Sequence, residues 1–157
     1  MKGFLTECEV TIDAKGRFLL PAAIKKKLPS GEEGVNEFVI ARGFEENLVL
    51  YPAHIWQENV QSKLDRLSDF NPEVRRFKRL FLNGATELEM DSAGRVLVPK
   101  ALMEYAGLTK EAILFAEGGK IEIWDKSKYR KFFETAKPDE AGDLAAKLLG
   151  GDLNIQL

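Results

Sequence analysis

The chain has one cysteine, Cys8, and one histidine, His54, among its 157 residues. A single thiol cannot close an intramolecular disulfide, and structural zinc sites normally draw on two or more cysteines. Cys8 therefore reads as a small apolar strand residue. His54 follows Pro52 near a helix start, with no second ligand or nucleophile at a readable spacing, so no metal site is expected. Also missing are a phosphate-binding loop, a dinucleotide fingerprint and a serine-centred elbow. The carboxylates offer no acid/base pair that sequence alone can place face to face. An enzyme reading is left without residues to carry it, and neither a cofactor nor a small-molecule substrate is expected. No apolar run approaches the length of a membrane span, and residues 1–8 lack the apolar core of a signal peptide. The expectation is a cytoplasmic protein with no membrane partner.

A large net excess of either charge is missing too. The formal net charge is −2, which by itself does not point to nucleic acid. Its distribution says more. Residues 1–29 carry Lys2, Lys15, Arg17, Lys25, Lys26 and Lys27 against Glu7, Glu9 and Asp13. Residues 132–157 carry Lys137 and Lys147 against Glu134, Asp139, Glu140, Asp143 and Asp152. The molecule is polarised, basic near one end and acidic near the other. A hydrophobic content of 45% is enough for a core and argues against disorder.

What the sequence does hold is a repeat. Residues 9–28, EVTIDAKGRFLLPAAIKKKL, return as residues 87–106, ELEMDSAGRVLVPKALMEYA. Asp13 matches Asp91, Gly16 matches Gly94, Arg17 matches Arg95 and Pro21 matches Pro99. Self-similarity on this scale has to be read before local structure. Val10 and Ile12 alternate with polar neighbours, as in a half-buried strand. Asp-x-x-Gly then suits a type I turn in which Asp accepts from turn amides and Gly takes positive φ. Such a turn links two strands of a hairpin, so Phe18, Leu19 and Leu20 are expected to return beside the first strand. Pro21 and Pro99 fit the first turn of a helix. In the second copy the helix is expected to stop at Gly107, with Leu108 covering its end.

Two further hairpins follow, one across Gly43 to Asn47 and a tighter one across Gly118 and Gly119. Each repeat is thus read as hairpin, short helix, hairpin, and neither offers enough sheet to stand alone, so the two are expected to close on each other. Trp56, Val60, Leu64 and Leu67 share a helical face, as do Tyr129, Phe132, Phe133 and Ala136. Between the repeats, Asn71 caps a helix with Pro72 at its first position and Glu73 favourable to the dipole. Val74, Phe77, Leu80 and Phe81 form its apolar side. Arg75, Arg76, Lys78 and Arg79 cover the other, as a solvated face or as a contact for nucleic acid or an acidic neighbour. Leu144, Leu148 and Leu149 hint at a weak helix in the tail.

Asp-Ala-Lys-Gly-Arg and Asp-Ser-Ala-Gly-Arg, with the segment FNPEVRRFKRLFLNGA between them, resemble the MraZ family of bacterial transcriptional regulators. The likeness runs over residues 4–133. The resemblance implies an α+β fold in which two tandem ββαββ AbrB-type (SpoVT-AbrB-like) repeats interleave into a swapped-hairpin, double-split β-barrel with flanking helices. It places the repeats at 4–67 and 83–136, an inter-repeat helix at 68–82 and an acidic tail at 137–157. It further implies a ring-shaped homo-oligomer that binds double-stranded DNA at short direct repeats in the promoter of its own division and cell-wall operon, mostly as a repressor, and hence a nucleoid association. The chain departs from the family where Ala23 and Ile24 follow the first Pro, where Lys25 replaces an arginine and where Met103 replaces a basic residue, and in the second copy Ala93 stands at the position that matches Lys15.

That asymmetry makes the first repeat the expected DNA face. Lys15 and Arg17 sit at the turn, Arg17 reaching a base edge, while Lys25, Lys26, Lys27 and Lys2 contact phosphates. Asp13, Gly16, Asp91, Gly94 and Arg95 are expected to shape the turns. An Asp13–Arg17 ion pair can coexist with DNA contact, whereas Arg95 is assigned to bracing and subunit contacts. The rival reading is an AbrB-type barrel serving as a protein-binding scaffold or antitoxin-like module.

Overall fold

Alternating side chains and turn residues set the strands of this chain, and the computed structural model describes residues 5–28 and 36–150. Lys2 and residues 29–34 lie outside the described residues. In the unit Met1–Lys126 the order begins with β1 (Leu5–Thr11), β2 (Arg17–Leu19), α1 (Ala22–Lys25), β3 (Glu37–Arg42) and β4 (Leu48–Pro52). A helix follows as α2 (Ala53–Ile55), a π-helical segment Trp56–Gln61 and α3 (Ser62–Asp65), then α4 (Pro72–Leu82). The second repeat gives β5 (Thr86–Glu89), β6 (Arg95–Leu97), α5 (Lys100–Ala106), β7 (Glu111–Glu117) and β8 (Lys120–Asp125). The fold is mixed α+β.

The local readings at helix ends are present. Asn71 accepts from the Glu73 amide at 2.9 Å, capping α4. Gly107 takes a left-handed conformation (φ 62°), and Leu108 N–H donates to Met103 O at 3.0 Å while Leu108 itself is buried. Gly118 and Gly119 both have positive φ in the tight turn between β7 and β8. Gly43 is required for a different reason: a β-carbon there would lie 2.0 Å from Asn47 Oδ1. Asn47 is itself buried, accepting from the Glu45 amide and donating to Glu122.

The first strand of each repeat behaves differently from expectation. β2 does not fold back as a ladder beside β1. The turn closes locally, with Asp13 N–H on Arg17 O at 2.8 Å and Gly16 N–H on Asp13 O at 3.0 Å, but the pairing beyond it goes to the other repeat. β1 pairs along its seven residues with β7, β5 pairs with β3, and β2 pairs with β6, all antiparallel. The physical reason is length: a three-residue β2 has few hydrogen bonds to offer β1, whereas β7 matches β1 residue for residue. A six-stranded sheet results in the order β1-β7-β8-β4-β3-β5, and β2-β6 forms a separate two-stranded sheet. With β4 on β8 as well, four of the pairings thus join one repeat to the other.

The main core lies between these sheets and the short helices. Phe18, Leu20, Ile24, Phe38, Ile40, Leu50, Val96, Leu102, Leu114 and Ile123 are all fully buried within it, and each such side chain contributes roughly 1.5–3 kcal/mol of apolar transfer. Ile24 and Leu102 occupy matching repeat positions, which is why a basic residue at position 24 would be misplaced here. Cys8 packs against the same core. At one edge Lys126 Nζ bridges Glu9 Oε1 at 2.6 Å and Glu111 Oε2 at 3.1 Å, tying β1 to β7 and raising the lysine pKa.

A second cluster holds Val39, Ala41, Trp56, Leu64 and Phe81, with Val60 partly buried against it. The four-residue spacing of Trp56, Val60 and Leu64 is read correctly, but the backbone between Trp56 and Gln61 is π-helical rather than α. The unit Ser127–Leu157 is helical where described, with α6 (Lys126–Thr135) entering it and α7 (Glu140–Leu149) within it. Phe132 and Phe133 have the expected helical spacing yet remain half-exposed, with Tyr129 and Phe132 edge-on to Phe133.

Candidate nucleic-acid interface

Each turn is organised by its aspartate. Asp13 Oδ1 accepts from the amides of Lys15 and Arg17 at 2.9 Å, and its Oδ2 takes the Arg17 Nε at 2.9 Å. Asp91 repeats the arrangement with Ala93 N, Arg95 N and Arg95 Nε at 2.9, 2.8 and 2.8 Å. The backbone hydrogen bond from the arginine amide is the largest influence, ahead of an opposing desolvation, and together with the guanidinium bond it holds both carboxyls below their ordinary value. A depressed carboxylate stays charged at any pH above its ordinary value, so the brace is intact near neutrality and is lost only on strong acidification. Gly16 and Gly94 sit at φ 86° and 82°, where a β-carbon is strained.

The brace leaves the arginines usable. In each, the carboxylate holds the Nε edge, and among the described residues neither terminal amino group has a partner. Those two groups are the pair that a guanidinium presents to the O6 and N7 of guanine. Bracing and recognition therefore occupy different edges of one group, and the ion pair does not remove Arg95 from consideration. Its side chain is in fact the more exposed, 39% against 27% for Arg17.

β2 and β6 bring the two turns onto one surface. Arg17 pairs with Leu97, Phe18 with Val96 and Leu19 with Arg95. Phe18 and Val96 face the core; Arg17, Leu19, Arg95 and Leu97 face outward, the two leucines more than half exposed. The ladder is locked at both ends by equivalent bonds, Leu20 N–H to Gly94 O and Val98 N–H to Gly16 O, each 2.9 Å. One arginine is thus fixed at each end of a local two-fold arrangement within a single chain.

Helix α1 completes it. Ile24 and Leu28 point inward, leaving Lys25, Lys26 and Lys27 exposed. A β-carbon on Gly94 would lie 2.9 Å from Lys25 Nζ, so this first-repeat lysine lies over the second-repeat turn. Lys15 and Arg17 mark one end of the ladder, and Lys25 and Arg95 mark the other. Sequence spacing could not reveal that crossing, because only the β2-β6 pairing creates it. The basic residues of α4 are separate from this surface in their contacts: Lys78 pairs with Asp69 at 2.8 Å and Arg75 donates to Asp69 O at 2.8 Å. Among the described residues no group of three or more His, Cys, Asp or Glu side chains is arranged to hold a metal, and no helix is long and apolar enough to cross a membrane.

The paired turns coincide with a tandem family match. The family described as "MraZ protein" and as antitoxin-like matches residues 4–80 and again 81–149. The chain belongs to the MraZ family. A transcriptional regulator MraZ from Cytophaga hutchinsonii is 41% identical over 146 residues, covering 93% of this chain and 94% of the relative. One from Nitrosomonas eutropha is 34% identical over 150 residues, with 96% and 99% covered. One from Coxiella burnetii is 38% identical over 143 residues, with 91% and 88% covered. The MraZ resemblance read from the two Asp-x-x-Gly-Arg turns is thereby shown over nearly the whole chain.

Proposed function

We propose that this chain is a sequence-specific, DNA-binding transcriptional regulator acting mainly as a repressor. It works as a ring-shaped homo-oligomer on short direct repeats in the promoter of its own division and cell-wall operon, in the cytoplasm and associated with the nucleoid. The observation that carries the reading is the β2-β6 ladder, with a carboxylate-braced arginine at each end and its terminal amino groups open. The names of the MraZ relatives support the regulatory role. The interleaved pairing of repeats 4–67 and 83–136 around the 68–82 link supports the swapped-hairpin barrel that presents the ladder. Arg17 and Arg95 read base edges, Lys15 and Lys25 to Lys27 contact phosphates, and Lys2 adds to them from the N-terminal segment.

One subunit of net negative charge with a few phosphate contacts binds DNA non-specifically at roughly 10⁻⁴ to 10⁻⁶ M. Several copies on repeats about one helical turn apart raise this by about 10²–10⁴-fold through effective concentration. Gel shift and footprinting on the DNA upstream of the chain's own coding region test the reading. Arg17→Ala is expected to abolish the specific footprint with particle mass and melting temperature unchanged; a retained footprint would remove Arg17 from the site. The antitoxin-like wording of the family description favours a second reading, a barrel that engages another protein. The same gel shift decides between them, since that reading requires no shift with any upstream fragment.

A further inference from the structure

We propose that the 68–73 turn of one copy of this chain seats Phe70 in the apolar groove beside α4 of a second copy. This rests on the multi-subunit reading above and assigns it a surface.

Phe70 is 94% exposed, more than any other large hydrophobic residue among the described residues. It is also held still. Its amide lies 3.3 Å from Ser68 Oγ, Asn71 N–H donates to Ser68 O at 3.1 Å, and Asn71 caps α4. The neighbouring Asp69 is pinned from α4 by Lys78 through its carboxylate and by Arg75 through its carbonyl. A large ring displayed in water on a braced turn leaves little backbone to be ordered when something covers it, which is the property of an anchor at an interface.

The groove that fits such a ring is on the same chain. It is a cavity of about 450 Å³ whose apolar wall includes Phe44, Val60, Leu67 and Phe77. Phe44 and Phe77 each stack on Phe81, at 5.7 and 5.6 Å between centroids, and Phe44 is itself 77% exposed. Leu67 lies three residues from Phe70, yet the exposure of Phe70 excludes it from its own groove.

Charge selects the occupant. The groove is lined by three cations, Arg42, Lys63 and Lys120, against two acids, Glu45 and Glu122; Lys63 and Lys120 have no acidic partner among the described residues, whereas Glu122 is already engaged by Asn47 and the Trp124 N–H. On the incoming turn Asp69 is already paired with Lys78, but the Glu73 carboxylate has no cation partner among the described residues, and no cation lies between residues 67 and 74. An acidic turn with an aromatic tip and an apolar groove with a basic rim are complementary surfaces, and one chain supplies both. A second copy is therefore always available at the concentration of the first.

The test is the mass of the full chain by light scattering and sedimentation, without DNA. Phe70→Glu and Phe44→Glu change exposed side chains, and thermal melting checks that each variant stays folded. Each is expected to weaken self-association by at least about tenfold. An equimolar mixture should regain association between unlike chains, because the Phe70→Glu subunit keeps its groove and the Phe44→Glu subunit keeps its ring. A wild-type monomer, a Phe70→Glu variant assembled like wild type, or a mixture with no regained mass would each overturn the proposal. Its failure is separable from that of the DNA reading. An assembled Arg17→Ala variant that ignores its promoter counts only against the latter, and an assembled Phe70→Glu variant only against the former.

Discussion

The two Asp-x-x-Gly-Arg turns differ in sequence more than they differ in space. Along the chain the first is rich in cations and the second is poor, since Ala93 stands where Lys15 does and Met103 where Lys25 does. In three dimensions the deficit is half repaired, because Lys25 lies over the Gly94 turn rather than beside its own. Interleaving explains the repair. Once β2 pairs with β6, the residues following each strand run toward the opposite turn, and the Leu20–Gly94 and Val98–Gly16 bonds fix that exchange. A repeat can therefore look poor in cations in sequence while its turn shares one surface with side chains borrowed from its twin.

The largest effect that would break this equivalence is at Arg95. If the two ends of the ladder act alike, Arg95→Ala lowers discrimination between promoter and scrambled DNA as much as Arg17→Ala does. The expected loss is about 1–3 kcal/mol, the size of one good arginine–guanine contact. Competition measurements by fluorescence anisotropy compare the two directly. Full specificity in the Arg95 variant would restore the division of labour that the sequence alone suggested.

The glycines sharpen the comparison in stability. Gly16 and Gly94 share a positive φ, so alanine at either costs about 1–2 kcal/mol of left-handed strain. What the new β-carbon meets is different. At Gly16 it lies 3.2 Å from Val98 O, a backbone atom held in the ladder; at Gly94 the nearest atom is the end of Lys25, which can swing away. Urea denaturation is expected to show Gly16→Ala as the less stable variant, while Gly94→Ala loses more DNA affinity than its stability explains. Equal stabilities would mean that the ladder yields at Gly16 as easily as the lysine does at Gly94.

Much of this was legible before any coordinates. The Asp and Gly of each turn, the Asn71 cap and the Gly107 stop depend on local chemistry that a few neighbouring residues specify. The partner of each strand did not follow from the same cues. Nothing in Arg17, Phe18 and Leu19 says whether they pair with Val10 or with Val96; that choice is made by the length of β7 and by a core that needs both repeats. The Asp–Arg ion pair was anticipated, but its use of the Nε edge was not, and that detail separates a merely structural arginine from one with two donors left over. The position of Lys25 needed both pieces, since a lysine on a one-turn helix has no fixed neighbour until the opposite turn is brought to it.

Lys25 and Met103 give the subtlest comparison, because a phosphate contact affects every sequence alike. Lys25→Ala is expected to weaken binding to promoter and scrambled DNA by the same factor and to reduce the salt slope by about 0.9, the share of one phosphate. Met103→Lys makes the converse change. Met103 is only partly buried against the core, so a lysine stem can keep much of its apolar contact while the ammonium reaches toward the Gly16 turn. That variant is expected to bind all DNA more tightly, with a slope steeper by about 0.9 and an unchanged preference for the promoter. Binding isotherms over a salt series measure both. If Met103→Lys left the slope unaltered while Lys25→Ala reduced it, the two ends of the ladder would sit at different distances from the phosphates, and the local two-fold would be broken on the DNA.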